Sequence, residues 1–178
     1  MKINRYWLVL AAANILLLML TAMVNDGLAG WGVSIFLAGP CIIWPVLRLG
    51  PGYLLLCLAL SGLAGDAPLP TPPGFLMTVF IAGACLILAY RPEMGRLRRS
   101  QQIGLAWLCN GLFFAVFTGW AILHNGSLSA AFFERAAVDF GLSQLIVLPV
   151  SLWFFDFQES VLVLAGLTAT PQRTEEAF

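Results

Sequence analysis

Charge is what this chain has least of. Only 10% of its 178 residues are Asp, Glu, Lys or Arg, where an ordinary soluble domain carries roughly 25%. Disorder is excluded as well, because a disordered chain needs high charge and low hydrophobicity. Nine basic residues offset nine acidic ones, so there is no basic surplus for gripping a nucleic-acid backbone. Histidine occurs once, at His124 in a polar stretch beside Asn125-Gly126. A His-based metal centre, or a Ser–His or Cys–His pair, has almost no material to work with. Cys41, Cys57, Cys85 and Cys109 stand far apart inside apolar runs, with no C-x-x-C pair. They read as small hydrophobes packed between helices rather than as a disulfide framework or metal site. No G-x-G-x-x-G, Walker A, H-E-x-x-H or C-x-x-C-H sequence is present. An intramembrane aspartyl protease needs two carboxylates near the midplane, whereas Asp66 and Asp139 fall at the ends of apolar runs. The expectation is a protein without catalytic residues, cofactor or metal.

Apolar surface is what the chain has in excess. Hydrophobic residues make up 60% of it and the mean hydropathy is +0.89. A water-soluble globule has nowhere to put that surface, so the chain reads as an integral membrane protein, one polytopic domain over 1–178. About 20 helical residues cross a hydrocarbon core of about 30 Å. Runs that approach this length lie at about 7–24, 31–47, 49–65, 75–90, 103–123 and 136–155. The predicted fold class is therefore all-α: a transmembrane helical bundle of about six spans. The first run follows Lys2 and Arg5 but has no convincing A-x-A cleavage site, so it is expected to remain as a helix. Pro40 and Pro45 interrupt the second, which predicts a kink. Pro51 sits in the first turn of the third, where proline is tolerated. Pro68, Pro70, Pro72 and Pro73 make the following loop neither helix nor strand. Residues 158–178 read as a short amphipathic and solvated tail.

The charges orient the spans. With an even number of crossings and the N-terminus in the cytoplasm, Lys2, Arg5, Arg48, Arg91, Arg96, Arg98, Arg99 and Arg173 all lie inside, leaving only Arg135 outside. Such one-sidedness is the positive-inside pattern, and it puts both termini in the cytoplasm. Trp7, Trp31, Tyr53, Tyr90, Trp107, Trp120 and Trp153 fall near span ends, as interfacial anchors do.

Helices in lipid associate through small residues that let backbones approach. Gly30, Ser34 and Ala38 recur at four-residue spacing in span two, and Cys57, Ser61 and Gly65 in span three. Each set is a candidate face for a neighbouring or partner helix. Asp66 ends the third span, where an ionised group needs hydration or a partner. Its expected role is a conformational anchor, with Arg135 as a candidate ion-pair partner if spans three and six are adjacent. The basic stretch containing Arg91, Arg96, Arg98 and Arg99 fixes topology and attracts anionic headgroups.

The Gly62, Gly65, Asp66 and Gly74 pattern, with the apolar run 75–90 behind it, resembles the rod-shape-determining MreD family. In that family a glycine-rich third span ends in an aspartate, and a glycine opens the next span. The order of the basic turn, the long fifth span and the proline-containing last span is similar too, over about residues 31–157. Two departures mark a divergent member: the loop is heavier in proline, and Gly39-Pro40 stands where family members often have Arg-Pro. The resemblance implies a non-enzymatic scaffold in the bacterial inner membrane that regulates cell shape and lateral peptidoglycan synthesis. Its implied partners are an MreC-like protein, a RodA-like glycosyltransferase, a class B penicillin-binding transpeptidase and, through them, the actin-like MreB filament. The fold is also similar to substrate-binding S-components of energy-coupling-factor vitamin transporters. An S-component implies a small ligand at the outer face, where Asp66, Trp120, Arg135 and Asp139 would line the pocket. The A-x-x-x-A docking pattern of those proteins is not met by Ala11-Ala12-Ala13-Asn14-Ile15-Leu16-Leu17.

Overall fold

The computed structural model describes residues 5–94, 97–125 and 129–166, with the side chains of 91–94 and 125 outside that description. Six α-helices follow one another: α1 (Tyr6–Leu28), α2 (Pro40–Arg48), α3 (Pro51–Asp66), α4 (Phe75–Met94), α5 (Arg99–Asn125) and α6 (Ala130–Leu164). A single 3-10 turn, Ala29–Trp31, follows α1, and no strand occurs among the described residues. The chain is thus an all-helical bundle. Stretches Tyr6–Trp31, Arg99–His124 and Ala130–Leu164 are long and apolar enough to cross a membrane, and Pro51–Asp66 and Phe75–Tyr90 are shorter apolar helices. These lengths and this composition make it a membrane protein.

The second expected span departs most from expectation. It is not one kinked helix: residues 33–38 have no helical structure, and only Pro40–Arg48 is helical. Gly32 takes a left-handed φ of 68° just before the extended stretch, a conformation that glycine adopts without a Cβ clash. At the other end, proline disfavours a helical residue before it and lacks the N–H a continuing helix needs. Pro40 therefore starts α2 rather than bending a longer helix. Gly30, Ser34 and Ala38 consequently do not share a helical face.

That composite element sits at the bundle centre. Every residue from Pro40 to Val46 is buried, and α2 touches each of the other five helices. Cys41, Ile42, Ile43 and Val46 pack with Leu10, Leu54, Leu58, Phe80, Phe154 and Phe155 into one core. The last helix is longer than the expected 136–155 at both ends, running from Ala130 to Leu164 with Pro149 inside it. Residues 158–164 are therefore helix, not tail, and 167–178 lie outside the described residues.

Candidate functional site

A membrane interior offers no water to the backbone of an extended segment, so each N–H and C=O needs a partner within the protein. Within residues 34–39, five N–H groups and two carbonyls find theirs in four polar side chains from three helices. Asn25 of α1 accepts from the Ile35 N–H at 2.7 Å and donates to the Ile35 carbonyl at 2.8 Å. Asn110 of α5 accepts from the Ala38 and Gly39 N–H groups at 3.0 and 3.1 Å and donates to the Phe36 carbonyl at 2.9 Å. Ser143 of α6 accepts from the Phe36 N–H at 2.9 Å while donating to the Asp139 carbonyl. One turn earlier, the Asp139 carboxylate accepts from the Ser34 N–H at 2.9 Å and from the Ser34 hydroxyl at 2.8 Å. The two amides act as surrogate strands, each bonding both donors and acceptors. A Cβ on Gly39 would lie 2.2 Å from the Ala106 carbonyl oxygen, so the segment meets α5 backbone to backbone.

A second polar knot lies deeper. Asn14 of α1 donates to the Cys41 carbonyl at 2.8 Å and to Ser61 Oγ at 3.3 Å, and accepts from Gln158 Nε2 at 3.1 Å. It joins α1, α2, α3 and α6 with an amide that is fully buried. Such groups lose much if a partner is removed, because no solvent replaces it.

The α3–α4 hairpin carries the glycine–aspartate pattern. Asp66 is buried and accepts from the Gly74 and Leu76 N–H groups, both at 2.8 Å. Gly74 occupies the capping position of α4 with φ at +89° and has no side chain to cap with, so Asp66 supplies the acceptor from the end of α3. Arg135 lies elsewhere, its Nε 4.0 Å from Asp139 Oδ2 one turn along α6. The expected Asp66–Arg135 pair is not formed: the carboxylate serves as a helix cap and the guanidinium has a nearer acid. Cys57, Ser61 and Gly65 do share a buried face of α3, but the chain itself covers it. A Cβ on Gly62 would lie 2.4 Å from Met77 Cα, and one on Gly65 would press on Leu76 and Leu18.

Hollows flank this framework among the described residues, and three of them bear on its function. A cavity of about 90 Å³ lies between Asn25, Asp26, the extended segment, Gly65 and Leu69. An apolar groove of about 660 Å³ runs between α4 and α5, lined by Phe75, Thr78, Val79, Ala82, Gly83 and Leu86 on one side and Leu112, Phe113 and Val116 on the other. A third, apolar and about 230 Å³, separates α1 from α6. None of the three is lined by Asp66, Trp120, Arg135 or Asp139. Instead Trp120 packs on Phe75 and stacks on His124, with centroids 5.5 and 4.9 Å apart. Among the described residues no group of three His, Cys, Asp or Glu is placed to hold a metal ion. Cys41, Cys57 and Cys109 are buried, Cys85 is exposed, and all four are free thiols. At the opposite end, Arg98 is exposed and Arg99 pairs with Asp156. The side chains of Arg91 and Arg96 lie outside the described residues.

Asp66 was expected to meet Arg135, so its bonds to Gly74 and Leu76 were not foreseen, and neither was the cage of Asn25, Asn110, Asp139 and Ser143. The available signal was Asn110 in the middle of the most regular apolar run, since a polar amide in lipid needs a partner. No family model, curated protein or solved structure matches this chain.

Proposed function

We propose that the chain is a non-enzymatic scaffold of the MreD type in the bacterial inner membrane, with both termini in the cytoplasm. On this reading it acts in cell-shape control and lateral peptidoglycan synthesis by helix–helix contacts with an MreC-like protein and its associated cell-wall synthases. The observation that carries it is the contrast between the hollows. The cavity beside Asn25 and Asp26, at about 90 Å³, is well below the roughly 300 Å³ at which small-molecule pockets begin. Its one amide, Asn25, is already bonded to Ile35 through both ends. That argues against a vitamin-binding S-component. The large groove has the volume of a ligand pocket but only one hydroxyl among its lining side chains, and it follows one face of α4 at helical spacing. Thr78, its one hydroxyl, is turned back onto the Gly74 carbonyl. Small residues on such a face allow a second helix to approach closely. Eight of the nine basic residues on one side support the orientation.

The test is purification of the tagged full-length protein in mild detergent, with mass spectrometry of both co-purifying proteins and bound small molecules. Recovery of an MreC-like protein or a peptidoglycan synthase is expected. Ala82→Trp, which fills the exposed groove, is expected to abolish that recovery while the variant stays folded and monodisperse. A stoichiometric metabolite or a coupling ATPase pair would replace the scaffold reading with the transporter one. Undiminished recovery by Ala82→Trp would remove the groove from the contact.

A further inference from the structure

The end of the bundle opposite Asp66 holds a cluster that the sequence pattern did not bring together. Arg48, the last residue of α2, places its guanidinium carbon 5.1 Å from the centroid of Trp44. Arg99, the first residue of α5, places its own 6.0 Å from that ring and 5.4 Å from Phe155. Trp44 is only 4% exposed, so its indole is a fixed platform. Arg48 itself is exposed and the Arg99 side chain is 33% exposed. Two long, flexible cations are thereby ordered on one ring by cation–π attraction. Their mutual repulsion is only half answered by the protein. Asp156 pairs with Arg99, whereas Arg48 and the neighbouring Arg98 form no ion pair among the described residues.

We propose that Arg48 and Arg99, seated on Trp44, bind the phosphate of an anionic membrane lipid. The guanidinium fork matches two phosphate oxygens, and a pre-ordered fork loses little entropy on binding. A basic recess between helices at the membrane face is where anionic headgroups are held. Trp153, one turn before the Asp156 that pairs with Arg99, stands exposed on α6 and stacks on Phe157, giving acyl chains an apolar surface. A lipid therefore meets both halves of the site, whereas a free phosphate meets only one. The proposal requires that the bundle lie in a membrane, and is independent of the partner-helix reading.

Native mass spectrometry of the detergent-purified full chain tests it, with cardiolipin, phosphatidylglycerol and phosphatidylcholine titrated in parallel. Occupancy by the anionic lipids is expected to exceed that by phosphatidylcholine at least about fivefold per engaged arginine. Arg48→Gln is expected to remove most of that preference and Arg135→Gln, at the other end, none of it. Should Arg48→Gln fail to fold, Arg48→Lys carries the test, because it keeps the charge but not the fork and is expected to lose part of the preference. Equal occupancy by all three lipids, or a wild-type preference in both Arg48 variants, would overturn the site. Thermal stabilisation by inorganic phosphate as large as that by cardiolipin would overturn its assignment to a lipid.

Discussion

Residues 33–39 and 67–74 both leave the helices, and they are held in opposite ways. The first stretch is apolar, central and tied by side chains 10 to 107 positions away in the chain. The second is proline-rich, peripheral and closed by one carboxylate, with Asp66 reaching Gly74 and Leu76, 8 and 10 positions on. Proline removes the donors that would otherwise need partners, so four prolines leave the loop with little left to satisfy. The extended stretch keeps all its donors and has to find acceptors for them. The difference teaches where cooperativity resides. The loop and its cap fold with their own hairpin, whereas the extended segment is complete only when α1, α5 and α6 are all in place.

The sharpest way to break this contrast is Asn110→Leu. Leucine is close in size but abandons the Ala38 and Gly39 N–H groups and the Phe36 carbonyl together. Each orphaned buried group costs about 1–3 kcal/mol, so a loss of at least about 3 kcal/mol is expected. Thermal unfolding in detergent should show the largest fall of any variant here, and amides 34–39 should lose hydrogen-exchange protection first. Unchanged protection would mean that the cage does not hold the segment.

Gly62→Val tests the other region through packing instead of hydrogen bonding. The added Cβ meets backbone, at 2.4 Å from Met77 Cα, so α3 and α4 have to separate. Overpacking of this kind costs typically about 1–3 kcal/mol, or a melting-temperature drop of about 2–4 °C per kcal/mol in a chain of this size. Protection at 34–39 is expected to survive, which separates the hairpin from the cage. A matching loss at both places would show that the two regions unfold as one unit.

How much of this was legible beforehand follows the same division. The helices over 6–28, 51–66, 75–94 and 99–125 lie within a few residues of their apolar runs, because length and hydropathy decide them locally. The hairpin's glycines and Asp66 stood out only as a pattern that resembles a family; that Asp66 bonds the Gly74 and Leu76 N–H groups was not legible, because the acceptor and its donors are separated by a loop. The extended segment was not legible either. Residues 31–47 are as apolar as a helix, and nothing within them says that Asn110 and Asp139 will take over their backbone bonds. Arg135 was misassigned by the same blindness to distance, since a nearer acid on its own helix answered it. The length of α6 was missed because polar Asp156, Gln158 and Glu159 look like an ending, although Gln158 is fully buried against Asn14.

The smallest effect divides a local cap from a surface ion pair. Asp66→Ala removes the acceptor for the Gly74 and Leu76 N–H groups at the start of α4. A lost cap typically costs about 1 kcal/mol, and Asp66→Asn, which keeps one oxygen, is expected to cost less. Arg135→Gln breaks a pair whose cation is 60% exposed and 4.0 Å from its acid, so a change within about 0.5 kcal/mol is expected. The two substitutions combined should be additive, because the residues share no partner. A coupling larger than about 0.5 kcal/mol in that double-mutant cycle would place Asp66 and Arg135 in one network after all. It would also make this end of the bundle a single polar unit rather than a capped hairpin beside an independently held segment.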